Sequence, residues 1–285
     1  MANRDTRPPE GRTVELDGEG VHWDQDISYG QYLQLEPLLA CQQRRSDQHD
    51  EMLFIVIHQV SELWLKQCLH EAHAAASHIA EEKLAPAFKM LSRVARIQEQ
   101  MIHAWEVLVT MTPADYASFR DSLGQSSGFQ SYQYRELEFL LGNKNPRLVE
   151  VHRGHPQHYQ RLSEVLHAPS LYDISLQLLA RRGFSIPRSC TDRDWSQPYQ
   201  SCDAVEQAWA TIYREPEAHW DLYELAEKLV DTEYNFHKWR FSHMKTVERI
   251  IGYKPGTGGT GGVSFLVKAL DLQFFPELWS VRTTM

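Results

Sequence analysis

Two histidines, His58 and His243, fall inside apolar rows of the longest helical patterns in the 285-residue sequence. Leu222, Leu229, Phe236, His243 and Ile250 recur every seven residues, with Leu225, Val230, Trp239 and Val247 beside them. A seven-residue step drifts by only about 20° per heptad on a straight helix, so this row keeps to one broad face. His58 stands four residues after Phe54, in a second row made of Phe54, Ile57, Ser61, Leu65 and Cys68. An imidazole on an apolar face needs a hydrogen-bond partner or a metal. Two of them on facing helices could flank a planar cofactor, one ligating its iron and the other lying above the vacant side. A pair of core histidines, each bonded to a neighbour, accounts for the same pattern.

Other chemistry in the chain is sparser. Tyr116 and Arg120 stand four apart on one helical face and can grip an anion together. Six glycines crowd the eleven positions from Gly252 to Gly262, a stretch that brings backbone N–H groups and the Thr257 and Thr260 hydroxyls close to a ligand and suits a lid. Gly256, Gly258 and Gly261 fit a G-x-G-x-x-G template, but they follow a helix where the dinucleotide fingerprint requires a strand. A di-iron carboxylate bundle needs Glu-x-x-His on two helices, and only Glu164 to His167 offers it on a predicted helix, Glu19 to His22 lying in the tail. There is no G-x-S-x-G elbow, H-E-x-x-H helix, Walker sequence or kinase set. A non-catalytic helical scaffold remains open at this point.

The elements that must position these residues read as helices throughout. The periodicity predicts helices over 27–41, from Asp50 to about Glu81, from Pro86 to about Val109, and from Thr112-Pro113 to Leu123. It predicts further helices over 129–141, 146–152, 156–167, 169–182, from an Asp203 cap with Glu206 at the reciprocal position to Tyr213, and from Glu217 to the glycine loop. The stretches 263–270 and 276–282 are short and helical. The expected class is all-α, a single-domain helical bundle over residues 21–285 behind a disordered tail, 1–20, with no strand ladder.

A formal net charge of −9, without any run of Lys or Arg, argues against nucleic acid or an anionic membrane as partner. The first twenty residues hold no apolar segment, and no apolar run is long enough to span a bilayer, so a cytoplasmic protein is expected. Cys41, Cys68, Cys190 and Cys202 form no C-x-x-C pair, which removes a zinc knuckle and a covalent haem from consideration. Fourteen His, 8 Trp and 12 Tyr suffice to line a flat aromatic site.

Several segments together resemble the tryptophan 2,3-dioxygenase family. They are Asp50-Glu-Met-Leu-Phe-Ile-Val-Ile-His58-Gln-Val-Ser-Glu-Leu-Trp-Leu-Lys66, Ser126-Ser-Gly-Phe-Gln-Ser131 with Gln133-Tyr-Arg135, Trp239-Arg-Phe-Ser-His243, and Gly252-Tyr-Lys-Pro-Gly-Thr-Gly-Gly259. The likeness runs from about Ile27 to Pro276-Glu-Leu-Trp279 in the family's order and spacing. It implies a non-covalent haem b, with His243 as the proximal ligand and the only protein ligand to the iron, and His58 as the distal histidine that meets the indole N–H. Phe54, Ile55, Val56 and Ile57 would line the indole pocket with Leu123. Arg120 and Tyr116 would hold the substrate carboxylate, and Thr257 the amino acid's polar end. Trp105, Ser127 and Gly128 match positions beside the haem. Tyr29, Tyr32 and Leu33 match a segment that completes a neighbour's site within a homotetramer. The implied substrates are L-tryptophan and O₂. Val60, where the family has Thr, and Thr260-Gly261, in place of Ser-Ser, depart from the pattern and bear on loop closure.

Overall fold

The computed structural model describes residues 12–23 and 27–285. The chain divides into two compact units, 1–44 and 45–285.

In the first unit, strands β1 (Arg12–Leu16) and β2 (Glu19–Trp23) pair antiparallel, with Leu16 opposite Glu19. Residues 12–20 therefore correct the expectation of a disordered tail without strands; residues 1–11 lie outside the described residues. The cause is local: Asp17 and Gly18 take φ of 50° and 84°, and an Asp-Gly pair at positive φ is the two-residue turn whose twist matches a hairpin. The helix expected over 27–41 is two, α1 (Tyr29–Leu33) and α2 (Leu35–Leu39), because Gln34 adopts φ 54° between them. Pro37 explains the break, since it has no N–H to offer the Leu33 carbonyl and its ring would press on that group in a continuous helix. Ser28 caps α1 with a reciprocal Gln31 bond. Tyr29 and Tyr32 are 76% and 74% exposed on it.

The second unit is built on three long helices, α3 (Glu51–Ala80), α4 (Leu84–Leu108) and α11 (Trp220–Ile251). The helix α4 packs along both α3 and α11. The buried row of α3 runs through Ile57, Ser61, Leu65, Cys68, Ala72, Ala75 and Ile79, and that of α11 through Leu222, Leu225, Leu229, Phe236, Trp239 and Ile250. These are the 3.6-period faces the sequence lays out, and each fully buried Leu, Ile or Phe stabilises the fold by about 1.5–3 kcal/mol. Buried Glu51 opens α3, its carboxylate accepting the Arg45 and Ser46 N–H groups at 2.8 Å each. Glu82, at φ 60°, turns the chain into α4.

Around this frame lie α5 (Pro113–Phe119), α6 (Tyr132–Leu141), α7 (Pro156–His167), α8 (Leu171–Arg181), α9 (Arg188–Thr191), α10 (Asp203–Arg214), α12 (Val263–Leu270) and α13 (Pro276–Thr284). Thr112 caps α5 in a reciprocal box with Asp115, as Thr112-Pro113 predicts. Beyond Phe119 the helix tightens to a 3-10 turn, Arg120–Leu123. The expected 146–152 helix is a pair of 3-10 turns, and 129–131 likewise falls in a 3-10 turn and the Ser131 cap of α6. The proposed cap of α10 is a miss: Asp203 lies inside the first turn behind Cys202, and Glu206 instead takes bonds from Ser280 and Thr284 of α13. No described helix is long and apolar enough to cross a membrane.

A buried charge cluster ties α6 to α11. Glu138 pairs with Arg135 and, at 2.5 Å, with Arg240, while Tyr134 donates to Glu138 at 3.0 Å and accepts from Arg240 Nε at 3.2 Å. Removing one partner of such a buried cluster strands a charge and costs about 3–5 kcal/mol.

Candidate functional site

All three long helices supply rings to a shared aromatic cluster. His58 comes from α3, Trp105 from the end of α4, and His243 from α11. Trp105 stacks on His243 with centroids 4.7 Å apart and planes 19° from parallel, and meets His58 edge-on at 6.3 Å. Trp239, one turn before His243, lies 5.7 Å from both His243 and Trp105. Trp105 thus touches both histidines, one from α3 and one from α11.

The two imidazoles are held differently. His58 Nδ1 lies 2.7 Å from the carbonyl of Phe54. A carbonyl only accepts, so Nδ1 carries the proton and Nε2 keeps its lone pair. Burial pushes the His58 pKa down, against smaller upward pulls from the Phe54 carbonyl and the Glu62 carboxylate. His243 is pushed down to about 4, first by burial and then by His58. No described residue hydrogen-bonds to it, and Trp105 and Trp239 pack against its ring. A neutral imidazole with an uncommitted nitrogen is the donor that an iron at a haem site requires, so the residue fits that role.

The wall beside His58 is aromatic. Phe54 lies 4.2 Å from His58, 5.9 Å from Tyr116 and 5.7 Å from Phe119. Phe119 is fully buried, and it is a wall residue that sequence reading missed; its place three residues after Tyr116 on α5 was the available signal. The residues expected to line the pocket from α3 separate by helical turn. Phe54 and His58 share a side, Ile57 belongs to the core, Ile55 is half-buried and Val56 is 36% exposed. Leu123 is buried at the end of the 3-10 turn. Burial raises the Tyr116 hydroxyl pKa, while Arg120 beside it pulls the other way.

The glycine loop closes this side. Arg120 Nη2 donates to the Pro255 carbonyl at 2.7 Å, and Thr257 Oγ1 to the Ser126 carbonyl at 2.5 Å. Gly258 lies so close to Ser127 that a Cβ there would stand 2.7 Å from the Ser127 Cβ. Ser127 caps the turn beginning at Gly128, and a Cβ at Gly128 would meet no atom within 4 Å. At the Thr260-Gly261 departure the Gly256 N–H bonds the Thr260 carbonyl at 3.0 Å, and a Cβ at Gly261 would stand 2.7 Å from Ser264 Oγ. Val60 is half-buried.

The alternatives fare poorly. Glu164 and His167 are both exposed on α7, and no group of three or more His, Cys, Asp or Glu among the described residues could hold a metal. Tyr29, Tyr32 and Leu33 belong to the first unit.

What fold and site define is a helical protein built round an aromatic site with two neutral histidines and a glycine-loop cover. The model of the tryptophan 2,3-dioxygenase family matches residues 17–285. Proteins named tryptophan 2,3-dioxygenase from Bacillus cereus, Polaromonas sp. and Burkholderia pseudomallei are 55%, 54% and 56% identical to it. Those matches cover 94%, 98% and 93% of this chain and 96%, 95% and 87% of the relatives. The chain belongs to the tryptophan 2,3-dioxygenase family.

Proposed function

We propose that this protein is a haem-dependent dioxygenase that cleaves the indole C2–C3 bond of L-tryptophan with O₂ to give N-formylkynurenine, the first step of tryptophan degradation. Family membership supports the reaction. The observation that carries the site assignment is the His58 Nδ1 bond to the Phe54 carbonyl, which leaves Nε2 as an acceptor on a ring packed against Phe54. An indole N–H is a donor only, so it matches that nitrogen.

His243 would hold a non-covalent haem b through iron, with Trp105, Ser127 and Gly128 beside it. When bound, the haem supplies the oxygen chemistry; the protein supplies placement and exclusion of water. His58 accepts the indole N–H through Nε2 and orients the ring that reacts. Its depressed pKa keeps it neutral near pH 7, since an imidazolium would present a second donor to the indole. Phe54, Tyr116 and Phe119 wall the indole. Arg120 receives the carboxylate, a charge-assisted contact worth about 1.5–3 kcal/mol, and Tyr116 supports it. Five N–H donors let the guanidinium keep its Pro255 bond while taking a carboxylate on another edge. Thr257 serves the ammonium end, and loop closure excludes water.

The N-terminal helices carry exposed Tyr29, Tyr32 and Leu33, which favours an interprotomer role in completing a neighbour's site within a homotetramer. Free thiols at Cys68, Cys190 and Cys202 fit a cytoplasmic setting. The test is turnover of L-tryptophan by the haem-loaded protein under isotopically labelled O₂. N-formylkynurenine carrying both labelled atoms is expected, and a product with one label or none would refute the proposal.

A further inference from the structure

We propose that Trp239 is a positioning residue that fixes the plane of the His243 imidazole by ring stacking, and that Tyr134 in turn holds Trp239. This rests on the function proposed above, because it takes His243 as the iron ligand.

A histidine ligand is commonly oriented by a hydrogen bond from its second ring nitrogen to a carboxylate or a carbonyl. No described residue makes such a bond to His243. The protein supplies two indoles instead. Trp105 lies nearly parallel to the imidazole at 4.7 Å, and Trp239 at 5.7 Å with planes 26° apart. Trp239 precedes His243 by four residues on α11, so the two side chains share one face of the helix.

Trp239 has no polar anchor of its own. It is 8% exposed and its Nε1 has no hydrogen-bond partner. Its ring is held by rings: Trp105 at 5.7 Å, Phe236 at 6.0 Å and Tyr134 at 5.3 Å. Of these, Tyr134 is hydrogen-bonded into the charged framework, and Phe236 carries the Arg240 guanidinium 4.6 Å over its ring. The Tyr134 hydroxyl donates to Glu138 and accepts from Arg240, and Glu138 also pairs with Arg135. A contiguous path therefore leads from a buried ion cluster, through Tyr134 tilted against Trp239 and Trp239 stacked on the ring, to the imidazole. Trp105 and Trp239, themselves 5.7 Å apart, meet the imidazole from neighbouring directions, so without Trp239 only Trp105 would oppose rotation of His243 about its χ2 bond there.

The test uses the haem-loaded wild type and Trp239→Leu, Trp239→Phe and Tyr134→Phe variants. It follows the ferrous iron–histidine stretching band by resonance Raman and the rate of haem transfer to apomyoglobin. Trp239→Leu is expected to shift and broaden the band and to speed haem loss by about two- to tenfold, the range of one aromatic pair. Trp239→Phe, which keeps a ring, should restore most of the wild-type band, and Tyr134→Phe should shift it by less and in the same direction as Trp239→Leu. An unmoved band in Trp239→Leu, with haem loss following only a lowered melting temperature, would overturn the inference. Should Trp239→Leu not fold, an unmoved band in Tyr134→Phe overturns it equally. A wild-type protein with no iron–histidine band overturns the ligand assignment, and this inference with it; a wild-type band with unmoved variants overturns this inference alone.

Discussion

Arg120 and Pro255, 135 residues apart, are joined by a 2.7 Å hydrogen bond from the guanidinium to the backbone carbonyl. The side chain assigned to the substrate's acid group is thereby also a fastening for the glycine loop. Replacing Arg120 with Ala removes both. The KM for L-tryptophan should rise by about ten- to a hundredfold, the equivalent of one charge-assisted contact. The loop should also be cleaved faster in limited proteolysis between Tyr253 and Gly262. An unchanged KM would refute the carboxylate assignment, and an unchanged cleavage rate would refute the fastening.

Gly258 packs directly on Ser127. Gly258→Ala should push the loop away from 126–128 and weaken the Thr257 bond to the Ser126 carbonyl. Several-fold lower kcat/KM is expected, with a melting temperature close to that of the wild type because the loop lies outside the core. A crystal structure of the variant with the loop undisplaced would contradict this.

His243→Ala should leave a helical protein, since the ring makes no hydrogen bond that the fold depends on. Visible absorption after haem loading and gel filtration is expected to show little retained haem. Full retention would remove His243 as the ligand.

The pH dependence of turnover should carry an acidic limb set by His58. Its pKa in the fold is depressed by burial, so the neutral acceptor persists below the ordinary histidine value of about 6.5 and is lost only as pH falls through the depressed value. Activity should therefore be flat from pH 8 down past about 6.5 and then decline. His58→Ala should keep its haem, retain partial turnover and lose that limb, with a smaller penalty for 1-methyltryptophan than for tryptophan. Complete loss of turnover with normal tryptophan binding would make His58 an obligatory base.

Deleting residues 1–39 removes Tyr29, Tyr32 and Leu33 together with α1. Light scattering should show loss of the tetramer, and turnover should fall to background. A fully active monomer would refute the interprotomer role.

The sequence by itself determined the class, the three long helices and the two histidines set within apolar rows. Periodicity is a local property: every seventh residue of α11, and every third or fourth of α3, returns to one face whatever packs against it. Caps were legible for the same reason, as at Thr112. Asp17-Gly18 was an equally local turn signal, and Pro37 an equally local break, although the first was left in a disordered tail and the second inside a single helix. Tertiary structure alone decided the rest. That Trp105 touches both His58 and His243 depends on how α4 lies against α3 and α11. That Arg120 meets Pro255 depends on a loop returning across more than a hundred residues. The anchoring of Trp239 likewise follows from Tyr134, Glu138 and Arg240 converging from two helices. Such contacts carry no period in the chain, because they are fixed by the packing of whole helices rather than by the spacing of residues along any one of them.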